Sequence, residues 1–316
     1  MSIIRFQPIY KERVWGGQDL KQVLGRDIPE GHIGESWEIV DRAEANSVIV
    51  DGKWAGLSLR AAIEQDSETI MGTEWDADDA FPILVKWLDC QERLSLQVHP
   101  PAEIAPELGG EPKTENWYIA AARPGAQLLA GLKDGVTREQ FETALRQNAA
   151  EPLVCALPCK AGDSLFVPSG RLHAIDGGNL ILEIQQNSDT TYRVYDWGRV
   201  GLDGKARQLH LEESLKSIDF EDYEPALRHV EGGDAILADS PEFRLRRLHL
   251  QEGESYRVPA GEEPRILSVV KGKLQYETDQ SIQTSDNVLV PYAESVELTA
   301  IEPTELLITD RFSRQL

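Results

Sequence analysis

A chain of 316 residues with 41% apolar side chains and seven tryptophans is long enough for two compact domains and too apolar to be disordered. Its formal net charge of −22 disfavours nucleic acid and anionic membrane surfaces as partners, since both would be repelled over about a Debye length. No apolar run approaches the ~20 residues of a membrane helix, the N-terminus MSIIRFQPIYKERVWGG lacks a signal-type core, and three cysteines without framework spacing suit a reducing compartment.

A soluble, cytoplasmic protein is therefore expected. Residues 1 to 55 read as short strands and turns feeding a first barrel. Ser58 to Ile70 (SLRAAIEQDSETI) predicts a helix with Ser58 as N-cap. In Arg93 to Pro100 (RLSLQVHP), Leu94, Leu96 and Val98 mark one face of a strand, and Ser95, Gln97 and His99 the other. Two of those polar side chains can ligate a metal, although a strand with one solvated face gives the same alternation. Lys113 to Ile119 (KTENWYI) is a further strand with Lys113, Glu115 and Trp117 on one face; Glu115 is either a ligand or one half of a cross-strand ion pair.

Thr137 to Asn148 (TREQFETALRQN) predicts a helix opened by a Thr137 and Gln140 capping box, with Phe141 and Leu145 on one stripe. Cys155 and Cys159 do not have C-x-x-C spacing and read as packed free thiols. Gly162 to Ile175 (GDSLFVPSGRLHAI) is the most informative stretch: a strand over Ser164 to Val167, a Pro168-Ser169-Gly170 turn, and His173 carried onto the next strand. A lone strand histidine is more often a hydrogen-bonded, half-buried residue than a ligand. Gln97, His99, Glu115 and His173 taken together supply two nitrogens and two oxygens, a first shell suited to zinc. Along Leu180 to Arg193, Glu183 shares the polar face, and Asp189, Thr191 and Arg193 continue it if the chain stays extended. Glu183 is either a base with a raised pKa or a partner that orients a neighbour.

His210 to Ile218 predicts a third helix with Glu212 and Glu213 near its start, and the acidic stretch DFEDYEP (Asp219 to Pro225) predicts a connection. The expected domains are 1–225 and 226–316. From Ala226 onward the chain reads as strands, with Ile266 to Gln275 (ILSVVKGKLQ) a hairpin turning at Gly272. Ser285 to Glu297 (SDNVLVPYAESVE) aligns without gaps on Gly162 to Ala174, matching Asp286 to Asp163, Val290 to Val167 and Pro291 to Pro168. Val296 falls where His173 lies, so the repeat predicts a second barrel without a metal.

The motifs QVHP, KTENWYI, PSGRLHAI and ILEIQQNSDTTYR, with Trp15-Gly16-Gly17 and Gly34-Glu35-Ser36-Trp37-Glu38, resemble the type I phosphomannose isomerase family in its short bacterial form. The resemblance implies a mainly β fold of two cupin-type barrels (jelly rolls), a few helices packed on the N-terminal barrel, and one Zn2+ per chain. It implies interconversion of mannose 6-phosphate and fructose 6-phosphate through a cis-enediol, within carbohydrate metabolism. Carried over by motif, the metal ligands are Gln97, His99, Glu115 and His173, and the family's active-site arginine falls on Arg193. Glu183 and Lys113 are the contenders for the base, and lysine could serve only if its pKa were depressed.

Against the unfavourable overall field, a phosphate ester needs local cations. Lys86, Arg171, Lys113 and Arg193 are the candidates, each alternatively an ordinary salt-bridged residue. Trp15 and Asp189 complete the expected substrate contacts beside Lys86 and Arg171. The expected partner is a small sugar phosphate, with neither nucleic acid nor membrane, and the chain is expected to be a monomer or weak homo-oligomer. Two alternatives stay open at this stage: a cupin enzyme of other chemistry, such as an isomerase of free or other sugars, and a non-catalytic cupin that binds sugar phosphates. Only 16 positions separate His99 from Glu115, which leaves no room there for the helical domain of larger family members.

Overall fold

The computed structural model describes residues 3–230 and 232–313. Local signals in the sequence set the helices. Ser58 accepts a hydrogen bond from the Ala61 amide at 3.1 Å and opens Leu59–Ile70. Thr137 and Gln140 form the reciprocal capping box of Arg138–Arg146, which buries Phe141 and Leu145. Leu211–Ser217 carries Glu212 and Glu213 in its first turn, while the His210 side chain makes no cap bond. Among the described residues, no helix is long and apolar enough to cross a membrane.

The chain divides into two compact units, made of the described residues of Tyr10–Ser36 and Trp87–His229, and of Met1–Ile9, Trp37–Lys86 and Val230–Leu316. In the first, one sheet runs Val154–Pro158, Gln127–Leu132, His173–Ile175, Leu96–Val98, Tyr192–Tyr195 in spatial order. A second contains the neighbours Ser164–Val167, Glu115–Ala122 and Asn179–Gln186. These strands pair antiparallel, and side chains of both sheets, among them Trp117, Leu165, Val167, Ala130, Ile175 and Ile181, close a common apolar core. Alternating inward residues from two facing sheets are what a small barrel requires.

The other unit has the same plan, a seven-stranded and a four-stranded sheet around Val258, Leu267, Leu274, Ile282, Val296 and Leu306. Two expectations are corrected here. The first strand, Ile4–Gln7, does not feed the first barrel: it pairs with Asn287–Val290 at Ile4↔Leu289 and with Val48–Ile49. Nor do Arg265–Lys271 and Lys273–Glu277 form a hairpin, since the first lies between Asn287–Val290 and Thr304–Asp310 and the second in the other sheet, between Gln280–Gln283 and Val296–Ala300. Gly272, at φ 93°, is a corner where the chain changes sheet, and a Cβ there would meet Thr304 Oγ1 at 2.4 Å.

The repeat is real in three dimensions. Ser164–Val167 and Asn287–Val290 are corresponding strands, and the following strands begin at His173 and Val296. Val296 is buried in the apolar core of its own barrel.

Candidate metal centre and active site

The centre is assembled by strand register. Opposed residues on antiparallel strands share a face, and the pairs Arg193↔Gln97 and His173↔Gln97 put Arg193, Gln97 and His173 in one row across three strands. Two positions along from Gln97, His99 stays on that face. Glu115 enters from the other sheet, opposite Val167 and Gln185. One donor atom each from His99, Glu115 and His173 lies within 4.8 Å of the others, and all three side chains are fully buried.

Hydrogen bonding fixes both imidazole tautomers. His99 Nδ1 stands 2.8 Å from the Thr190 carbonyl and His173 Nδ1 2.7 Å from the Arg171 carbonyl. A carbonyl only accepts, so each Nδ1 carries the proton and each Nε2 presents a lone pair. His173 Nε2 and Glu115 Oε2 are buried without a hydrogen-bond partner. Unpaired buried acceptors are rare because desolvation is unfavourable. Two imidazole nitrogens and a carboxylate, with the Gln97 amide in the same row, fit a borderline divalent ion.

Lys113 is the cation nearest these acceptors. Its Nζ is 2.5 Å from Glu115 Oε1 and 3.5 Å from His99 Nε2, while its backbone N–H donates to Ser169 Oγ at 3.1 Å. Burial alone would lower the Lys113 pKa, but Glu115 and then Glu183 outweigh it and hold the ammonium protonated. The condition under which lysine could act as a base is therefore not met in this state. Burial would likewise raise Glu115, yet the Lys113 ammonium holds it well below the usual carboxylate range.

Burial lowers His99, with Lys113 adding to the effect, and burial followed by His99 pushes His173 down to about 3. A testable consequence concerns the metal-free protein. Above pH ~6.5 His173 is neutral whether folded or unfolded; from there down to about 3 only the unfolded chain takes the proton, so stability falls with falling pH. The contribution is one proton, about 1.4 kcal/mol per pH unit. Urea titrations of wild type and His173→Asn should differ in this slope between pH 6 and 4.5, and parallel curves would refute the assignment.

The remaining expected residues separate into two groups. Glu183, opposite Trp117 in the strand register, accepts from Trp117 Nε1 at 2.9 Å, and the Trp117 ring meets His173 edge to face at 5.3 Å. Arg193 donates from Nη1 to the Gln208 carbonyl at 2.8 Å and keeps a buried Nε without a partner. Asp189 is exposed and acts electrostatically on both Lys113 and Arg13.

Arg171 is placed differently from expectation. Its fork grips Asp222 at 2.7 and 2.8 Å and its Nη1 bonds the Phe166 carbonyl, so its guanidinium serves the framework while its carbonyl orients His173. Trp15 is a core residue of this barrel, 4% exposed. Lys86 is buried with Nζ 4.7 Å from the centroid of Trp37.

Three participants escaped sequence reasoning. The Thr190 and Arg171 carbonyls are invisible to side-chain patterns. Gln185 donates to the Gln186 and Ser188 carbonyls, leaving a buried, unpaired Oε1 directly across from Glu115. Its place opposite Glu115 required the register, which no local signal supplies.

Two antiparallel barrels, one of them carrying a His/Glu/His centre, define a two-barrel cupin protein of the metal-site type. The family model "Phosphomannose isomerase type I, catalytic domain" matches residues 3–115. The chain is 34% identical over 298 residues to the mannose-6-phosphate isomerase ManA of Bacillus subtilis, covering 91% of this chain and 92% of that one. It is 32% identical over 289 residues to the mannose-6-phosphate isomerase of Streptococcus mutans, with 89% of each chain covered. The crystal structure of the mannose 6-phosphate isomerase from Bacillus subtilis superposes with a TM-score of 0.86 at 28% identity, covering 98% of this chain and all of that one. This chain belongs to the type I phosphomannose isomerase family.

Proposed function

We propose that this protein interconverts mannose 6-phosphate and fructose 6-phosphate, with a divalent ion held by Gln97, His99, Glu115 and His173. The observation that carries the reading is the buried trio of His99, Glu115 and His173, with tautomers already set for ligation, in a chain whose relatives are named mannose-6-phosphate isomerases. The two nitrogens and two oxygens favour zinc. When bound, such an ion supplies Lewis acidity toward the sugar oxygens.

This chain's own residues supply the rest. The C2 proton of mannose 6-phosphate passes to a carboxylate, for which Glu183 is the better placed by chemistry because Lys113 is held protonated. The resulting cis-enediolate receives that proton at C1 while a proton moves from O2 to O1, which leaves the carbonyl at C2 and gives the ketose. Arg193 stabilises the charge that develops on the enediolate oxygen with its planar fork. Lys86 and Asp189 are read as substrate contacts, and Arg171 and Trp15 as residues that fix the walls.

The compartment best suited to the free thiols is the cytoplasm, and the sugar phosphate is the partner this site would take. A monomer or weak homo-oligomer, with no nucleic-acid or membrane partner, completes the reading. A coupled assay with mannose 6-phosphate, repeated after chelation and with unphosphorylated mannose, tests it. Turnover is expected only with the phosphorylated sugar and only before chelation; turnover that survives complete metal removal would overturn the proposal.

A further inference from the structure

Arg193 is followed by a hairpin loop whose base is tied by one carboxylate. Asp196, 5% exposed, receives Arg207 Nε at 2.7 Å and Nη2 at 2.5 Å, and Arg199 Nη2 at 2.8 Å. Between these arginines the loop closes on itself through the Val200↔Ala206 bridge and the Gly201 amide to Lys205 carbonyl bond at 2.7 Å. Arg199 also donates to the Arg93 carbonyl, pinning the loop to a neighbouring segment. The residue immediately after Arg207 is Gln208, whose carbonyl accepts from Arg193 Nη1 at 2.8 Å. His210, two residues further, exchanges backbone contacts with Arg193: its Nδ1 accepts from the Arg193 amide at 3.2 Å and its own amide bonds the Arg193 carbonyl at 2.9 Å.

The guanidinium of Arg193 is therefore held by a carbonyl whose place depends on where the loop ends, and Asp196 closes that loop. We infer that Asp196 is a positioning residue for Arg193, acting through the Arg207 contact and the Gln208 carbonyl. It has an electrostatic part as well. Burial is the main influence lowering the Arg193 pKa; beside it Arg207 and Arg199 act in the same direction by repulsion, and Asp196 opposes them. Two arginines beside an unshielded Arg193 would displace its fork by repulsion and compete with it for anionic oxygen. Asp196 touches neither the acceptor cluster nor, on this account, the substrate.

The inference rests on the catalytic role proposed for Arg193, and a double-mutant cycle separates the two. With mannose 6-phosphate as substrate, Asp196→Asn is expected to lower kcat about tenfold with KM changed less than about twofold, because a small displacement of a charge-stabilising group is felt mainly in the transition state. In an Arg193→Ala background the same substitution should change kcat by less than about twofold, since the group it positions is gone. Arg207→Lys keeps the charge but gives up the two-point contact, so it should lower kcat in the same direction, and it decides the matter alone if Asp196→Asn does not fold. Wild-type kcat in both variants would overturn the inference, as would an equal tenfold loss in the Arg193→Ala background, which would mean Asp196 supports the barrel generally. Full turnover of Arg193→Ala by itself would instead remove the role of Arg193.

Discussion

Replacing His173 by alanine is expected to abolish retention of the metal and to cut turnover by about a thousandfold or more, because both the ion and its Lewis acidity leave together. His173 contributes a buried Nε2 with no competing hydrogen bond and a proton on Nδ1 locked by the Arg171 carbonyl. Its removal also takes away the ring against which the Trp117 edge packs. The measurements are metal content after dialysis and kcat with mannose 6-phosphate. A His173→Ala protein that keeps one equivalent of ion as tightly as wild type would show that the cluster is not the centre.

Lys113→Met should have the largest effect on folding. The substitution keeps the stem but leaves Glu115, fully buried, without the ammonium 2.5 Å away. Breaking a buried pair from one side typically destabilises by about 3–5 kcal/mol. The loss should be greatest near neutral pH. As Lys113 is what chiefly holds the Glu115 pKa down, the variant's carboxyl takes up a proton more readily, so the gap to wild type narrows as pH falls. It should also narrow when a divalent ion is added, because the ion replaces the missing positive charge. Urea unfolding of the metal-free and metal-loaded forms reads both effects, and a metal-free variant as stable as wild type would contradict this account.

How much of this was legible in the chain follows from the range of the signals. Caps and turns are local, so Ser58, the Thr137 and Gln140 box, and the strand-turn-strand around His173 were readable from a few residues each. Ligand candidates were readable because strand parity puts Gln97 with His99 and Lys113 with Glu115. What parity cannot give is which strand lies beside which.

The pairing of Ile4–Gln7 with Asn287–Val290 joins residues nearly the whole chain apart, and ILSVVKGKLQ carries the same alternation whether Gly272 folds a hairpin or turns a corner between sheets. Arg171 illustrates a further limit. An arginine beside a ligand histidine looks like a substrate cation until Asp222, 51 positions later, is found in its grip. The Glu183 bond to Trp117 and the place of Lys86 over Trp37 were hidden for the same reason.

The row Arg193, Gln97, His173 is drawn from strands scattered over about a hundred residues of chain, and Glu115 reaches it from a second sheet. The middle member sits on a strand of three residues, Leu96–Val98, held from both sides. A slip of one position there would turn Gln97 out and Leu96 in, and would carry His99 off the shared face with it. Catalytic competence in this protein is thus a reporter of global order: during denaturation, activity should vanish together with the barrel as a single event.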